Sequence, residues 1–441
     1  MNKKLPEGWK WVKLSDAVLI FDNLRKPINA SERQKRINSK SEEELYPYYG
    51  ATGQVGWIDD YLTQGEYVLV GEDGAPFLDV YKNKAYKIKG KTWVNNHAHI
   101  LQEKLGLTVN DYILYYLNSV DYRQYVNGTT RLKLTKSSLS EIKFPLSPLP
   151  TQQAIVSKIE ELFSELDKGI ENLKTAQQQL KVYRQSVLKW AFEGKLTNGL
   201  NHDSFDLHDE NDLNQAAEPK AVYQSAKHQE NQANQKNHSA DKEHLPEEWK
   251  WKRLGDMFNF IGGGTPSKSE KTYWNGSIPW ASVKDIKGDY LEKPQDTITE
   301  KGLKNSASNL ANEGDVILIT RISPGKAIIT NIVTAVNQDL KIVKPKFKTT
   351  SKFVKYFFNA IERDCVKISS GTTVLGITLN NLNELLIPDL TIKEQTQIVQ
   401  EIESRLSVAD KMEETIQQSL LKAESLRQSI LKKAFEGELV K

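Results

Sequence analysis

The sequence predicts an α+β chain: two β-rich α/β modules separated by two long helices that form a coiled-coil spacer. Three observations predict it. The chain is written twice. The repeated segments carry a heptad seam. The segments between them carry strand-length apolar runs broken by turns.

Leu5-Pro6-Glu7-Gly8-Trp9-Lys10-Trp11 returns as Leu245-Pro246-Glu247-Glu248-Trp249-Lys250-Trp251, and Leu14 and Asp16 return as Leu254 and Asp256. Gly128-Thr129-Thr130-Arg131-Leu132 returns as Gly371-Thr372-Thr373-Val374-Leu375. Ile155–Leu196 then matches Ile398–Leu439 without a gap, with 18 of 42 positions identical. Residues 18–127 and 258–370 share little recognisable sequence. A repeated frame therefore carries two unlike inserts, and drift after simple duplication would have eroded both alike. The frame tryptophans Trp9, Trp11, Trp249 and Trp251 are expected to pack within it.

The first module spans residues 1–150. Tyr67–Val70 and Thr92–Val94 read as strands, Glu72-Asp73-Gly74 and Lys82-Asn83-Lys84 as turns, and Val109–Asn118 as a short helix. The first long helix follows over 151–196. Leu162, Leu166, Gly169, Leu173, Ala176, Leu180, Tyr183, Val187 and Trp190 recur with 4,3 spacing, the signature of a coiled-coil seam. Thr151 is its candidate N-cap and Gly194 its candidate C-cap. Residues 197–244 hold five of the chain's seven histidines, 9 acidic and 4 basic side chains and almost no apolar clusters, and read as a polar linker. The second module spans 245–390. Asp315–Arg321 and Ala327–Val336 read as strands, Gly262–Pro266 and Ser323–Lys326 as loops, and Lys352–Arg363 as a short helix. The second long helix covers 391–441, with Thr391 and Gly437 as caps. Its seam is Ile402, Ala409, Met412, Ile416, Ala423, Leu426 and Ile430, interrupted at Arg405, Ser419 and Lys433. Some 40 residues make each helix roughly 60 Å long, too long to leave an apolar stripe in water. The two should pack on each other. The seam leaves their orientation open, and the order module–helix–module–helix suits an antiparallel pair.

Composition narrows the function. At 38% hydrophobic and 27% charged residues the chain is an ordinary globular mix, and its longest apolar runs are strand-sized. No signal peptide is visible, and the single cysteine excludes an internal disulfide, so a cytoplasmic setting is expected. Outside 197–244 the body carries a net charge of about +8, which permits phosphate contacts. Catalytic constellations are missing. There is no phosphate-cradling loop, no cofactor-binding glycine fingerprint and no Asn-Pro-Pro-aromatic run of the kind expected of an amino-methyltransferase. His97 and His99 are the only histidines outside the linker. On a strand they would share a face, which makes a metal pair conceivable beside hydrogen bonding or packing.

These residues resemble the specificity (S) subunit of type I restriction-modification systems. The resemblance runs through Pro47-Tyr48-Tyr49-Gly50-Ala51-Thr52-Gly53, Trp93-Val94-Asn95-Asn96-His97-Ala98 and Ala191-Phe192-Glu193-Gly194. It continues in Gly263-Gly264-Thr265-Pro266-Ser267, Tyr273-Trp274, Ile278-Pro279-Trp280 and Ala434-Phe435-Glu436-Gly437. Each motif is short; their order and duplication are specific. The long polar stretch after Leu196 departs from the pattern. The resemblance implies two target-recognition domains, separated by two long antiparallel helices, that read a split, asymmetric site in double-stranded DNA. It implies partner methyltransferase (M) subunits, normally two, and restriction (R) subunits, and a complex that methylates adenine or cleaves unmodified DNA. S-adenosylmethionine, ATP and magnesium would then belong to the partners, with no cofactor, metal or catalytic residue in this chain and no membrane association. A rigid ~60 Å spacer would place two readers on sites more than one DNA turn, about 34 Å, apart.

Base edges take Arg, Lys, Asn, Gln and small hydroxyl side chains, and phosphates take Lys, Arg and backbone N–H groups. The candidates in the first module are Tyr49, Gly50, Thr52, Asn95, Asn96, His97, Thr130, Arg131 and Lys133. In the second they are Thr265, Ser267, Lys268, Lys284, Arg321, Ser323, Lys326, Asn337, Gln338 and Thr373. For each of them a structural turn or a solvated face is the competing reading. The twin Gly-Thr-Thr turns sit at the same place in both halves, which favours phosphate positioning. The competing function is a coiled-coil scaffold with two modules that bind carbohydrate or peptide. Salt separates the two, because phosphate contacts weaken steeply with ionic strength.

Overall fold

The computed structural model describes residues 5–196, 249–371 and 373–440. The linker expected over 197–244 lies outside the described residues, as do Leu245–Glu248 and Thr372. The chain divides into two compact units. Residues 1–175 and 415–441 form the first, and residues 176–414 the second. No helix among the described residues is long and apolar enough to cross a membrane.

The first unit is built on a six-stranded sheet. Its strand order is 18–20, 98–103, 63–71, 85–94, 46–49, 54–58. Only the contact between Tyr46–Tyr49 and Ala85–Val94 is parallel. Tyr67–Gly71 is buried without interruption, because the helix Asn110–Ser119 covers one face of the sheet and a small cluster around Leu69 and Ile100 fills the other. Asn118 fastens that helix: its carboxamide oxygen accepts from the N–H groups of Lys84 and Ala85, and its nitrogen donates to the Ala85 carbonyl.

The second unit repeats this plan with one break. The stretch expected as a single strand over 327–336 divides into Ala327–Thr330 and Thr334–Val336. The Thr330 hydroxyl accepts from the Ile332 N–H and donates to the Ile332 carbonyl, which turns the chain. One long strand of the first unit thus becomes two short ones. The sheet becomes two as well, one of five strands (258–262, 340–345, 316–319, 327–330, 290–291) and one of four (296–298, 274–281, 334–336, 309–311). Asn359 holds Ala327 through both amide atoms, as Asn118 holds Ala85.

Each long helix has 44 residues, Leu149–Phe192 and Ile392–Phe435, hence about 66 Å at 1.5 Å per residue. Thr391 caps the second helix in a capping box with Glu394: its hydroxyl donates to the carboxylate at 2.6 Å and its N–H at 2.7 Å. Thr151 does not cap the first. That helix begins two residues earlier, with the Gln152 N–H on the Pro148 carbonyl, because Pro150 is preorganised for a first turn whose N–H groups lack partners anyway. Gly194 and Gly437 both close their helices in the left-handed region, at φ +74° and +75°. A Cβ on Gly437 would also collide with the Pro6 ring.

The helices are antiparallel within each unit. In the first, Arg427 pairs with Asp167 and lies over the Phe163 ring. In the second, Arg184 pairs with Asp410 at 2.6 Å and with Glu413 at 2.9 Å. Arg184 and Arg427 are repeat equivalents, and so are Asp167 and Asp410. Antiparallel packing of a duplicated helix therefore makes the same ion pair twice. The expected seam of the second helix needs correcting. Met412 and Leu426 are 53% and 50% exposed, while Ile402, Leu406, Ala409, Glu413, Ile416, Leu420, Ala423, Arg427, Ile430 and Ala434 turn inward. The alternate positions are shifted by one residue, because the ion pairs seat charged residues on the seam.

The repeated helix ends complete the two cores. Phe435 stacks edge-on against Tyr112 and Tyr116 in the first unit, and Phe192 packs on Phe353 and Phe357 in the second. Trp9 and Trp249 pack against the same cores, as expected of frame residues. Trp11 does not: it lies in the two-stranded ribbon with Lys143–Leu146 and is 49% exposed.

Candidate nucleic-acid interface

The candidate residues gather at the ends of the central strands, on turns that the frame pins in place. In the first unit the strand ending at Val94 delivers Asn95, whose N–H donates to the Tyr49 carbonyl at 3.0 Å. The buried Asn95 carboxamide oxygen accepts from the His97 N–H at 2.8 Å, which fixes the 95–97 turn. Gly50 leaves little room here, since a Cβ would stand 3.2 Å from the Val55 side chain and 3.3 Å from the Asn95 amide nitrogen. His97 Nδ1 meets Asp73 at 2.6 Å, and Asp73 also takes the Arg131 guanidinium at 2.9 Å. Lys133 reaches Glu72 at 3.0 Å. Tyr49, Gly50, Asn95, His97, Arg131 and Lys133 are thus brought into one connected group. Thr52, Asn96 and Thr130 are exposed on its turns.

Beneath that surface lies a buried ionic network. His99 is fully buried; its Nδ1 faces Asp22 at 2.7 Å and its Nε2 faces the Leu134 carbonyl at 2.8 Å. Both ring nitrogens therefore have a polar partner within the fold. Arg25 bridges Asp22 and Glu72. Burial pushes the Asp22 carboxyl up, but the His99 hydrogen bond and charge, Arg25 and the Ile100 N–H outweigh it and hold the group below the usual range. Glu72 is likewise held low: burial raises it, and hydrogen bonds from Arg25 and Lys133 overcome the rise. Neither histidine belongs to a metal cluster, and no group of three or more His, Cys, Asp or Glu side chains that could hold a metal occurs among the described residues.

In the second unit the same turn is Asn337-Gln338-Asp339. The Asn337 N–H donates to the Ala281 carbonyl at 2.9 Å, and the Asn337 side chain accepts from the Asp339 N–H at 3.1 Å. The Asp339 carboxylate gathers the Asn337 and Gln338 amides and Arg321 within 3.1–3.3 Å. Thr265 donates to Gln338 at 2.5 Å. The glycines before Thr265 permit a close approach: a Cβ on Gly263 would lie 2.1 Å from the Asn337 carbonyl oxygen, which explains the Gly262–Gly264 run without a cofactor. Ser267 and Lys268 are exposed on the following loop, Lys284 on the 283–285 turn and Thr373 on the 371–375 turn, whereas Ser323 and Lys326 are half-buried. Cys365 is buried behind Gly325, and burial pushes its thiol up to about 12, far from a nucleophile's range.

The two sites superimpose in their bonding. Leu134 N–H to the Glu72 carbonyl matches Ile377 N–H to the Thr320 carbonyl, and bridge Asp73–Lys133 matches bridge Arg321–Gly376. Asp73 therefore corresponds to Arg321, Gly74 to Ile322, Asn96 to Gln338 and His97 to Asp339. The contact between Asp73 and His97 returns as Arg321–Asp339, with the carboxylate at the other of the two positions. Gly128 and Gly371 are both required as glycine: φ is +109° and +135°, and a Cβ would strike a carbonyl oxygen at 2.4 and 2.1 Å. Sequence reasoning missed Asp22, Glu72, Asp73 and Asp339, and of the readings it held open for His99 the structure shows hydrogen bonding within the core. The usable signal was Val94-Asn95 against Val336-Asn337, a match at an offset between those of the flanking repeats.

Paired domains of related fold, set in a repeated frame with long helices, define a duplicated two-domain class of protein. The family model for the type I restriction modification DNA specificity domain matches residues 6–175 and again 246–422, and the chain belongs to that family. It is similar to the EcoDI specificity subunit of Escherichia coli, 24% identical over 443 residues, covering 99% of this chain and 90% of that protein. It also resembles the MjaIX specificity subunit of Methanocaldococcus jannaschii, 30% identical over 159 residues, covering 35% of this chain and 37% of that one. The crystal structure of the HsdS subunit from Thermoanaerobacter tengcongensis shares the fold, with a TM-score of 0.54 and 17% identity over 99% of both chains.

Proposed function

We propose that this chain is the sequence-reading subunit of a type I restriction-modification complex and holds no catalytic centre of its own. Residues 1–150 and 245–390 act as target-recognition domains and read the two halves of a split, asymmetric double-stranded DNA site. Residues 151–196 and 391–441 are the spacer helices, and 197–244 a polar linker. Methyltransferase subunits, two per chain, and restriction subunits are directed to the site, and S-adenosylmethionine, ATP and magnesium serve those partners. The carrying observation is that equivalent backbone positions hold unlike readers: Asn96 against Gln338, His97 against Asp339 and Asp73 against Arg321. One scaffold with different donors and acceptors suits two different half-sites.

Co-expression with the neighbouring methyltransferase subunit, followed by mapping of methylated adenines, tests the reading. Exchanging residues 18–127 for those of a relative is expected to change one half-site and leave the other intact. A change in both halves sinks the two-reader account, and methyl transfer by the purified chain alone sinks its non-catalytic part.

A further inference from the structure

Ile322 is out of place by two independent measures. Its φ is +78°, and the only other non-glycine residue in the left-handed region among the described residues is Asn275, a residue type that tolerates it. A β-branched residue there is a true outlier, and such strain collects at ligand clamps. The side chain also gains little from burial, being 57% exposed. The backbone around it is pinned: the Ile322 N–H donates to the Leu375 carbonyl at 2.8 Å, Arg321 bridges Gly376, and the Gly325 N–H closes the loop on the Ile319 carbonyl at 2.9 Å. In the first unit the equivalent position is Gly74, with φ +71°. The fold accepts glycine there, and the second unit instead holds an apolar side chain out into water. Its neighbour Arg321 joins the Asp339 cluster with Asn337 and Gln338, so the exposed methyl groups stand beside hydrogen-bonding side chains suited to base edges.

We propose that Ile322 is a specificity-determining residue of the second domain, which reads the C5-methyl group of a thymine in the major groove of its half-site. This rests on the reading of the chain as a DNA-specificity subunit. A thymine methyl is the one apolar group on a base edge in that groove, and small apolar side chains recognise it by contact. The flanking Arg321 and Gln338 would hold the neighbouring base edges and set the register.

The test uses the full chain assembled with its methyltransferase subunit, and duplexes in which single thymines of the second half-site are replaced by uracil. For the wild-type complex one replacement is expected to weaken binding about fourfold, the worth of one buried methyl-sized contact. The complex carrying Ile322→Gly is expected to bind both duplexes equally, to lose its preference at that base pair alone, and to unfold at the same or a higher temperature, since glycine removes the strain. A second half-site without thymine, a uracil effect that survives Ile322→Gly, or a loss of stability in that variant overturns the inference. A wild-type complex that recognises no split site sinks the specificity reading, and this inference with it.

Discussion

Asp73 with His97, and Arg321 with Asp339, fill the same two backbone positions, and the carboxylate changes sides between them. In the second domain Asp339 is the organiser, because one carboxylate holds Arg321, Asn337 and Gln338 together. Asp339→Ala frees all three, at a cost of about 1–2 kcal/mol for the lost charged hydrogen bonds. Methylation mapping of this variant should show relaxed choice in the second half-site and an unchanged first half-site; a change confined to the first would invert the assignment. The half-buried Asp22 and Glu72 give a pH prediction. Both carboxyls titrate lower folded than unfolded. Their stabilisation is therefore present above the unfolded values of about 4 and is lost as pH falls through the lower folded ones. Thermal unfolding followed from pH 6 to pH 2 should show a steep acid limb in the wild type. In Asp22→Asn that limb should be shallower, from a lower starting stability. An identical slope would show that carboxylates elsewhere govern the acid limb.

At the scale of the elements, the antiparallel register makes the repeated ion pair reversible. Arg184→Asp faces Asp410 and Glu413 and should lower stability by about 1 kcal/mol, a modest figure because Asp410 is largely solvated. Adding Asp410→Arg should restore most of the loss in a denaturation series; no rescue would mean that the two positions do not meet. Truncating the helix-end phenylalanines should cost more, about 3–5 kcal/mol each. Hydrogen exchange should place the damage of Phe435→Ala around 112–116 and that of Phe192→Ala around 353–357. The first helix was more legible because most of its seam is apolar, although Gly169 faces water while Ile170 turns inward beside it, and Arg184 takes a place on the seam. The second was misread because Glu413 and Arg427 occupy seam positions, while Met412 and Leu426 imitate a seam on a face that water covers. Periodicity counts apolar residues, and it does not see a charge that finds its partner on another helix.

For the molecule as a whole, the duplication made the architecture readable, and it concealed the site. Frame segments announce themselves by identity. The readers share a bonding pattern carried mostly by backbone groups, so Asn95 and Asn337 stand alike amid unlike neighbours. Charge was also misleading. Arg131, Lys133 and Arg321 stood in the sequence as candidate DNA contacts with no visible partner, and Asp73, Glu72 and Asp339 hold them. A held guanidinium is positioned, which suits base reading, and we propose that lysines on exposed turns such as Lys268 and Lys284 take the phosphates. The two roles separate in a salt titration of the assembled complex. Each phosphate contact steepens the fall of log affinity with log salt by about 0.9. Lys268→Gln and Lys284→Gln should therefore each flatten the slope by about 1 and leave the methylated sequence unchanged. Arg321→Gln should alter the second half-site more than the slope. Should Lys268→Gln change the sequence instead, that lysine reads a base, and the division between held readers and free phosphate contacts fails.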